Sequence, residues 1–400
     1  MTATTDLASR RVRALTESVT LAISAKAKAL RAAGEDVIGF GAGEPDFATS
    51  AHIVAAAQAA CADPVMHRYS PTAGLPALRE AVARKTARDS GLMVSPNEVL
   101  VTNGGKHSLF NIFQTLVDPG DEVLLPAPYW VTYPEQIRLA GGRAVVVPSD
   151  AASGFRVSVE QLQAALTPRT RLLVFCSPSN PSGAVYPPEE VEAIGRWAVD
   201  AGIWVVTDEI YEHLVYGDAR HVSMPAVVPE LRERCVISNG VAKTYAMTGW
   251  RVGWSIAPVG LTQGMTRLQS HATSNVANVA QVAAIAALDG PLADVDLMRS
   301  TYDRRRRIVH ERLNAIDGVV CPLPQGAFYV FPSVHGVLGR TVGGRRVDTS
   351  LQLCEALLDV ARISLVPGEG FGGPGCVRLS YALADDDLAA GLERLVDALA

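Results

Sequence analysis

Lys243 lies in the run Ser238-Asn239-Gly240-Val241-Ala242-Lys243-Thr244-Tyr245-Ala246-Met247-Thr248-Gly249-Trp250-Arg251-Val252-Gly253, which contains no acidic residue. A lysine so placed is a candidate carbonyl nucleophile. Burial disfavours the ammonium form, lowers its pKa and frees the amine. Arg251, eight residues on, carries a planar fork of donors that suits a phosphate. Lysine plus phosphate clamp points to pyridoxal phosphate, a cofactor that is bound as an imine and acts as an electron sink. Taken alone, the segment serves equally well as a loop with a surface lysine.

Other residues fall into the same chemistry. Asp208 ends the apolar run Ile203-Trp204-Val205-Val206-Thr207. A buried carboxylate needs a cationic partner, and a protonated pyridine nitrogen is one. Tyr211, three residues on, is placed to hydrogen-bond a phenolic oxygen. The rival is a metal held by Asp208, Glu209, Glu212 and His213. Their spacing on a short turn suits a closed site poorly, so no metal is expected. Asn103-Gly104-Gly105-Lys106 follows a strand-like run and opens a helix, where backbone N–H groups favour an anion. It matches neither the G-x-G-x-x-G nor the G-x-x-x-x-G-K-[ST] spacing, and by itself it is equally a plain turn. In Ser177-Pro178-Ser179-Asn180-Pro181-Ser182-Gly183 the prolines and glycine fix a loop, with Asn180 turned inward as a donor. Trp130 offers a face to stack on a flat ring, or a piece of core. Arg378 is a charge inside the apolar run Val377–Tyr381, and a carboxylate bound bidentately would pair it.

These groups need elements to hold them. From Val99 onward short apolar runs alternate with helical stretches: Val99–Thr102, Glu122–Leu125, Ala144–Val147, Arg171–Cys176, Ile203–Thr207, Cys235–Ile237 and Trp254–Ile256. Between them lie Ser108–Leu116, Pro188–Ala201 and Gly264–Leu288 as expected helices. Runs apolar on both faces predict mostly parallel strands under helices, an α/β doubly wound sheet. In such sheets ligands bind beyond the carboxyl ends of the strands. Gly104, Trp130, Asn180, Asp208 and Lys243 all follow such runs. Helices over Tyr302–Leu313, Ser350–Ala361 and Asp385–Leu399, with strand-like Ala327–Phe331, Ile363–Val366 and Val377–Tyr381, predict a smaller α+β domain. The division expected is 47–297 for a large cofactor domain, with 1–46 and 298–400 as the small one. Arg304–Arg307 read as a solvated helix face paired by Asp303 and Glu311.

Composition narrows the function class. The chain has 400 residues, 48% hydrophobic and 19% charged, with a net charge of −5. A packed protein without a nucleic-acid partner is expected. Its six cysteines are dispersed with no C-x-x-C pair, as in a reducing compartment. The N-terminus carries Asp6, Arg10, Arg11 and Arg13 rather than an apolar signal, and the most apolar stretch, Val276–Leu288, is too short for a membrane span. A cytoplasmic protein follows as the expectation.

Six segments in order resemble the fold-type-I pyridoxal-phosphate aminotransferases, most of all the bacterial aspartate aminotransferases. They are Ala42–Phe47, Asn103–Lys106, Ser177–Gly183, Asp208–Tyr211, Ala242–Gly253 and Arg378–Tyr381, and the likeness runs from Arg11 to the C-terminal helix. The resemblance implies that Lys243 binds the cofactor and then shuttles a proton. Asp208 would pair with the pyridine nitrogen, Tyr211 and Asn180 bind the ring oxygen, and Trp130 stack on the ring. Arg251 with the amides of Gly104, Gly105 and Lys106 would hold the phosphate. Tyr69 would reach the phosphate of a neighbouring subunit, implying a homodimer. Arg378, helped by the backbone at Gly43, would take the substrate α-carboxylate, and Lys106 the distal carboxylate of aspartate or glutamate. The substrates implied are an L-amino acid and a 2-oxo acid. Departures from the pattern are Gly240, where many relatives carry a hydroxyl residue, and His107, where glutamine is common. Thr16 stands where prephenate-using members carry lysine, so prephenate is not expected. Other specificities on the fold, aromatic, kynurenine, prephenate or specialised-metabolite, remain the alternatives. A non-catalytic sensing module would carry a DNA-binding segment, and none is expected from the residues before Gly43.

Overall fold

The computed structural model describes residues 8–15 and 19–400. Thr16 lies outside the described residues. A short parallel pair joins β1 (Ile38–Gly39) to a distant strand, and then comes the main sheet: β2 (Val99–Thr102), β3 (Glu122–Pro126), β4 (Arg143–Val147), β5 (Thr170–Cys176), β6 (Trp204–Asp208), β7 (Cys235–Gly240) and β8 (Gly253–Ile256). Their order is β2-β8-β7-β6-β5-β3-β4. All pairings are parallel except the two made by β8, which runs antiparallel to β2 and β7. This is a mostly parallel α/β sheet of the doubly wound kind. Strands β7 and β8 are buried along their whole length, and β6 over all but its first residue, because helices cover both faces.

The covering helices carry their own start and stop signals. Pro188–Ala201 has proline in its first turn and Gly202 at φ +67 after its last. Pro76–Ser90 follows the same rule with Gly91 at φ +72. The expected helix Gly264–Leu288 is instead two, Val259–Ala272 and Asn278–Asp289. The break carries Ser274 at φ +60, a left-handed conformation that a continuous helix excludes.

Residues 298–399 build a separate core together with Ile23, Ala27 and Val37–Phe40. Its strands are β9 (Tyr329–Val330), the hairpin β10 (Thr341–Val342) and β11 (Arg345–Arg346), then β12 (Ile363–Ser364), β13 (Val366–Pro367) and β14 (Val377–Ser380). Strands β13-β14-β9 form an antiparallel sheet, and β12 pairs with β1. The single run expected over Ile363–Val366 is therefore two strands in two sheets. Tyr211, Leu214 and Tyr216, from the turn after β6, join this core. Among the described residues no helix is long and apolar enough to cross a membrane, and all six cysteines are free.

The arginine run departs from its expected role. Arg304 and Arg307 are exposed, but Arg305 and Arg306 are 5% and 4% exposed. Arg306 pairs with Asp303 and stands 5.2 Å from the Tyr216 ring centre. Helix Ala293–Asn314 packs against helix Asp385–Leu399 and β9, and Arg305 and Arg306 fall on its buried side with Tyr302 and Val309, while Arg304 and Arg307, paired with Asp385 and Asp303, stay exposed.

Candidate active site

A cavity of about 470 Å³ opens at the carboxyl ends of β5, β6 and β7. Asp208, the last residue of β6, lies at its floor. Its two oxygens accept from Tyr133 Oη at 2.7 Å and from the Ile210 N–H at 3.3 Å. Lys243 sits in the turn after β7, and its Nζ donates to the Gly43 carbonyl. Arg378, on β14, is 7% exposed. Its Nη1 donates to Asn180 Oδ1 at 3.0 Å and its Nη2 to the Gly41 carbonyl at 2.9 Å. The guanidinium also faces the Tyr329 and Phe371 rings, 4.6 and 5.0 Å from their centres. Tyr211 and Tyr329 hydroxyls are 3.0 Å apart. Trp130 meets Tyr133 edge-on, and Lys106 Nζ lies 5.1 Å from the Trp130 ring centre.

The far wall is the turn between β2 and helix Gly105–Leu116. Gly104 has φ +81, a conformation glycine adopts without strain. No side chain caps that helix, so its first N–H groups face the cavity as a ready anion site. A Cβ on Gly105 would meet nothing, whereas one on Gly104 would strike Arg251. Arg251 itself has φ +58 and donates to the Thr248 carbonyl. Gly240 has a physical reason too. A Cβ there would approach the Val252 carbonyl at 2.9 Å and Gly253 Cα at 3.0 Å, where β7 and β8 cross closely.

Burial sets the charge states. It lowers the Lys243 ammonium to about 8, with Arg378 and Arg251 adding to the fall and Glu44 and Asp208 opposing it. It raises the Asp208 carboxyl to about 6, against the Tyr133 hydrogen bond. Lys106 is lowered by burial and by nearby Arg251. A buried acid short of a cation, a part-neutral amine and an open helix N-terminus at the opposite wall match the ring nitrogen, carbonyl and phosphate of pyridoxal phosphate in turn. The residues present fit that group.

The cavity thus gathers Gly43, Gly105, Lys106, Trp130, Asn180, Asp208, Tyr211, Lys243, Arg251 and Arg378, with Gly104 packed behind Arg251. Tyr69 stands apart, 93% exposed. The carbonyl beside Arg378 is that of Gly41, while Gly43 contacts Lys243. His107 accepts the Asn103 N–H on Nδ1 at 3.1 Å, so it shapes the turn and does not line the cavity. The rival metal set is split. Among the described residues Asp208 is in neither of the two clusters, Asp89–Glu212–His213 and Glu209–Glu212–His221, and the Lys85 ammonium already pairs with Asp89 and Glu212. Sequence reasoning missed Tyr133, Tyr329, Phe371, Thr248 and Glu44. Glu44 and Thr248 lie inside two of the segments that carry the resemblance, and Tyr133 stands three residues beyond Trp130 at the start of a helix; Tyr329 and Phe371 left no signal.

The chain matches the family model for aminotransferase class I and II over residues 35–395. It is 58% identical to an aspartate aminotransferase of Streptomyces avermitilis, over 97% of this chain and 95% of that protein. It is 49% identical to an aspartate aminotransferase of Geobacillus stearothermophilus, over 96% and 97%. The crystal structure of the aspartate aminotransferase from Rhizobium meliloti superposes with a TM-score of 0.95 at 39% identity, covering 98% of both chains.

Proposed function

The chain belongs to the class I and II aminotransferases, and on that premise we propose that it transfers the amino group of L-aspartate to 2-oxoglutarate, with pyridoxal phosphate as cofactor. The products are oxaloacetate and L-glutamate. The observation that carries this reading is the convergence of the Lys243 amine, the Asp208 carboxylate and the Arg378 guanidinium on one cavity. The names of the relatives support the choice of aspartate.

When bound, pyridoxal phosphate supplies an electron sink and carries the amino group between two half-reactions, which makes the kinetics ping-pong. The residues do the rest. Lys243 Nζ, part-neutral near pH 8, anchors the cofactor and then takes the proton from the substrate α-carbon. Asp208 holds the ring nitrogen protonated, and that cation supplies the partner its buried carboxylate lacks. Trp130 would cover one ring face, and Asn180 and Tyr211 would bind the ring oxygen. The N–H groups of Gly105 and Lys106 and the Arg251 fork would hold the phosphate, whereas the Gly104 N–H, expected to join them, already donates to the Thr102 carbonyl at 2.8 Å. Arg378 takes the α-carboxylate beside the Gly41–Gly43 backbone, and Lys106 Nζ takes the distal one. The main sheet with its helices would act as a large domain, 47–297, and the described residues up to 46 with 298–400 as the small one. In a homodimer Tyr69 reaches the partner's phosphate, for which its exposure in one chain leaves it available. The free, dispersed cysteines favour the cytoplasm.

Mixing the holoenzyme with L-glutamate or L-aspartate tests the assignment. The cofactor's absorbance should convert from the aldehyde to the amine form, and 2-oxoglutarate should reverse it. No conversion with either donor rejects the reading. Arg378→Lys keeps a charge but loses the fork that serves Asn180, Gly41 and a carboxylate together. It is expected to raise KM for aspartate at least about 30-fold, from the ~2 kcal/mol lost when a buried charge pair is truncated. An unchanged KM removes Arg378 from the carboxylate site.

Cofactor capture also has a defined pH dependence. Only the neutral amine attacks a carbonyl, and Lys243 protonates below about 8. The rate at which the cofactor-free protein captures pyridoxal phosphate should therefore rise as pH increases through about 8 and then level off. Stopped-flow absorbance measures it. A rate still climbing toward the ordinary lysine range would contradict the depressed value.

A further inference from the structure

One buried arginine of the Arg304–Arg307 run reaches the edge of the active site. Arg305 donates through Nη1 to Asp46 Oδ2 at 2.8 Å and through Nε to Asp385 Oδ1 at 2.8 Å. Tyr302 Oη donates to the other oxygen of Asp46 at 3.0 Å, and its ring meets Phe47 edge-on at 5.8 Å. Both oxygens of Asp46 are thus held by helix Ala293–Asn314. Asp46 closes the segment 41–46, which belongs to no helix or strand. Without a ladder of its own, that segment depends on such anchors for its position. Its upstream groups serve the site directly. The Gly41 carbonyl accepts from Arg378, the Gly43 carbonyl from Lys243, and Glu44 from Thr248 Oγ1 at 2.9 Å.

We propose that Arg305 is a positioning residue for substrate binding: by clamping Asp46 it holds the 41–46 segment, and through the Gly41 carbonyl it holds Arg378 in the geometry that receives the α-carboxylate. A planar fork is what the place requires, since two carboxylates from different elements, Asp46 and Asp385, approach one side chain. The two arms have different duties. The Asp385 arm ties two helices of the C-terminal core, and the Asp46 arm leads to the site. The proposal rests on the aminotransferase reading of the cavity.

The test uses full-length holoenzyme carrying Arg305→Met, Asp46→Asn, Asp385→Asn and the Arg305→Met/Asp46→Asn pair. Arg305→Met and Asp46→Asn should each raise KM for L-aspartate about tenfold, as small misplacements of binding groups do, with kcat within about twofold. The paired variant should be no worse than the worse single one, because both break one link. Amide hydrogen exchange over residues 41–46, read without substrate, should quicken in both single variants. Asp385→Asn should leave KM and that exchange at wild-type values. A wild-type KM in Arg305→Met overturns the proposal, as do additive effects in the pair or an Asp385→Asn variant that reproduces them. If Arg305→Met does not fold, Asp46→Asn alone decides, since unchanged KM and exchange there are equally fatal. Failure of the wild-type protein to convert aspartate would refute the aminotransferase reading instead. The exchange data would still show whether the clamp holds the segment.

Discussion

Lys243→Ala is expected to reduce transamination on the order of 10⁴-fold or more, because one amine serves both as nucleophile and as proton carrier. The fold should survive. Lys243 lies in a turn, its Nζ has the Gly43 carbonyl as its hydrogen-bond partner, and the neighbours that pack, Val241, Ala242, Thr244 and Tyr245, are unchanged and buried. Truncation even removes a desolvated cation from beside Arg378 and Arg251. Turnover by a coupled assay, with the thermal midpoint as control, measures both effects. A variant within tenfold of the wild-type rate would take Lys243 out of the reaction. Loss of activity together with collapse of the midpoint would mean that the lysine is structural.

The second large effect belongs to Asp208. Asp208→Asn keeps the shape and can still accept from Tyr133 Oη, now 2.7 Å from the carboxylate, but it brings no charge to the ring nitrogen. The expected loss in kcat is about 10²- to 10³-fold, as when one preorganised electrostatic group is removed. Arg304→Met, an exposed arginine paired with Asp385 at 2.6 Å, is expected to leave kcat within about twofold, as exposed pairs contribute little. Equal losses in the two variants would refute the role. The pH dependence of cofactor affinity adds an independent measurement. Burial raises the Asp208 carboxyl to about 6 in the cofactor-free protein. Below that value it is neutral and cannot pair with a cation, so affinity should fall as pH drops through about 6. Asp208→Asn should abolish that step while keeping weaker binding at every pH. Equilibrium titration of the cofactor from pH 5 to 8 reads it directly.

Much of the scaffold is legible in the residues. The seven main strands lie within three residues of the apolar runs that announce them, because a strand buried on both faces must be apolar along its whole length. Helix Pro188–Ala201, with Pro at its start and Gly202 past its end, is equally plain, whereas Pro76–Ser90 carries the same signals and is not among the expected helices. The helix expected over Gly264–Leu288 was not, since its break at 273–277 contains neither proline nor glycine. The reversed direction of β8 leaves no trace in composition, because parallel and antiparallel central strands bury the same side chains. Arg305 read as solvated for a related reason: a charge run on a helix does not reveal that Asp46, 259 residues away, will meet one member of it.

The sequence by itself determined which groups are candidates for the proposed chemistry. Lys243, Asp208 and Arg378 each sit at or inside an apolar run, and a charge there is costly unless a ligand or partner answers it. Their types and their places in or just after strands therefore mark them as candidates before any contact is known. Only the tertiary structure decided which groups meet. Arg378 finds Asn180 across 198 residues and the Gly41 carbonyl across 337, and Tyr133 finds Asp208 across 75. Local preference cannot select such partners. They are chosen by how two cores pack against each other, and that packing places one guanidinium between a loop, a strand and two aromatic rings.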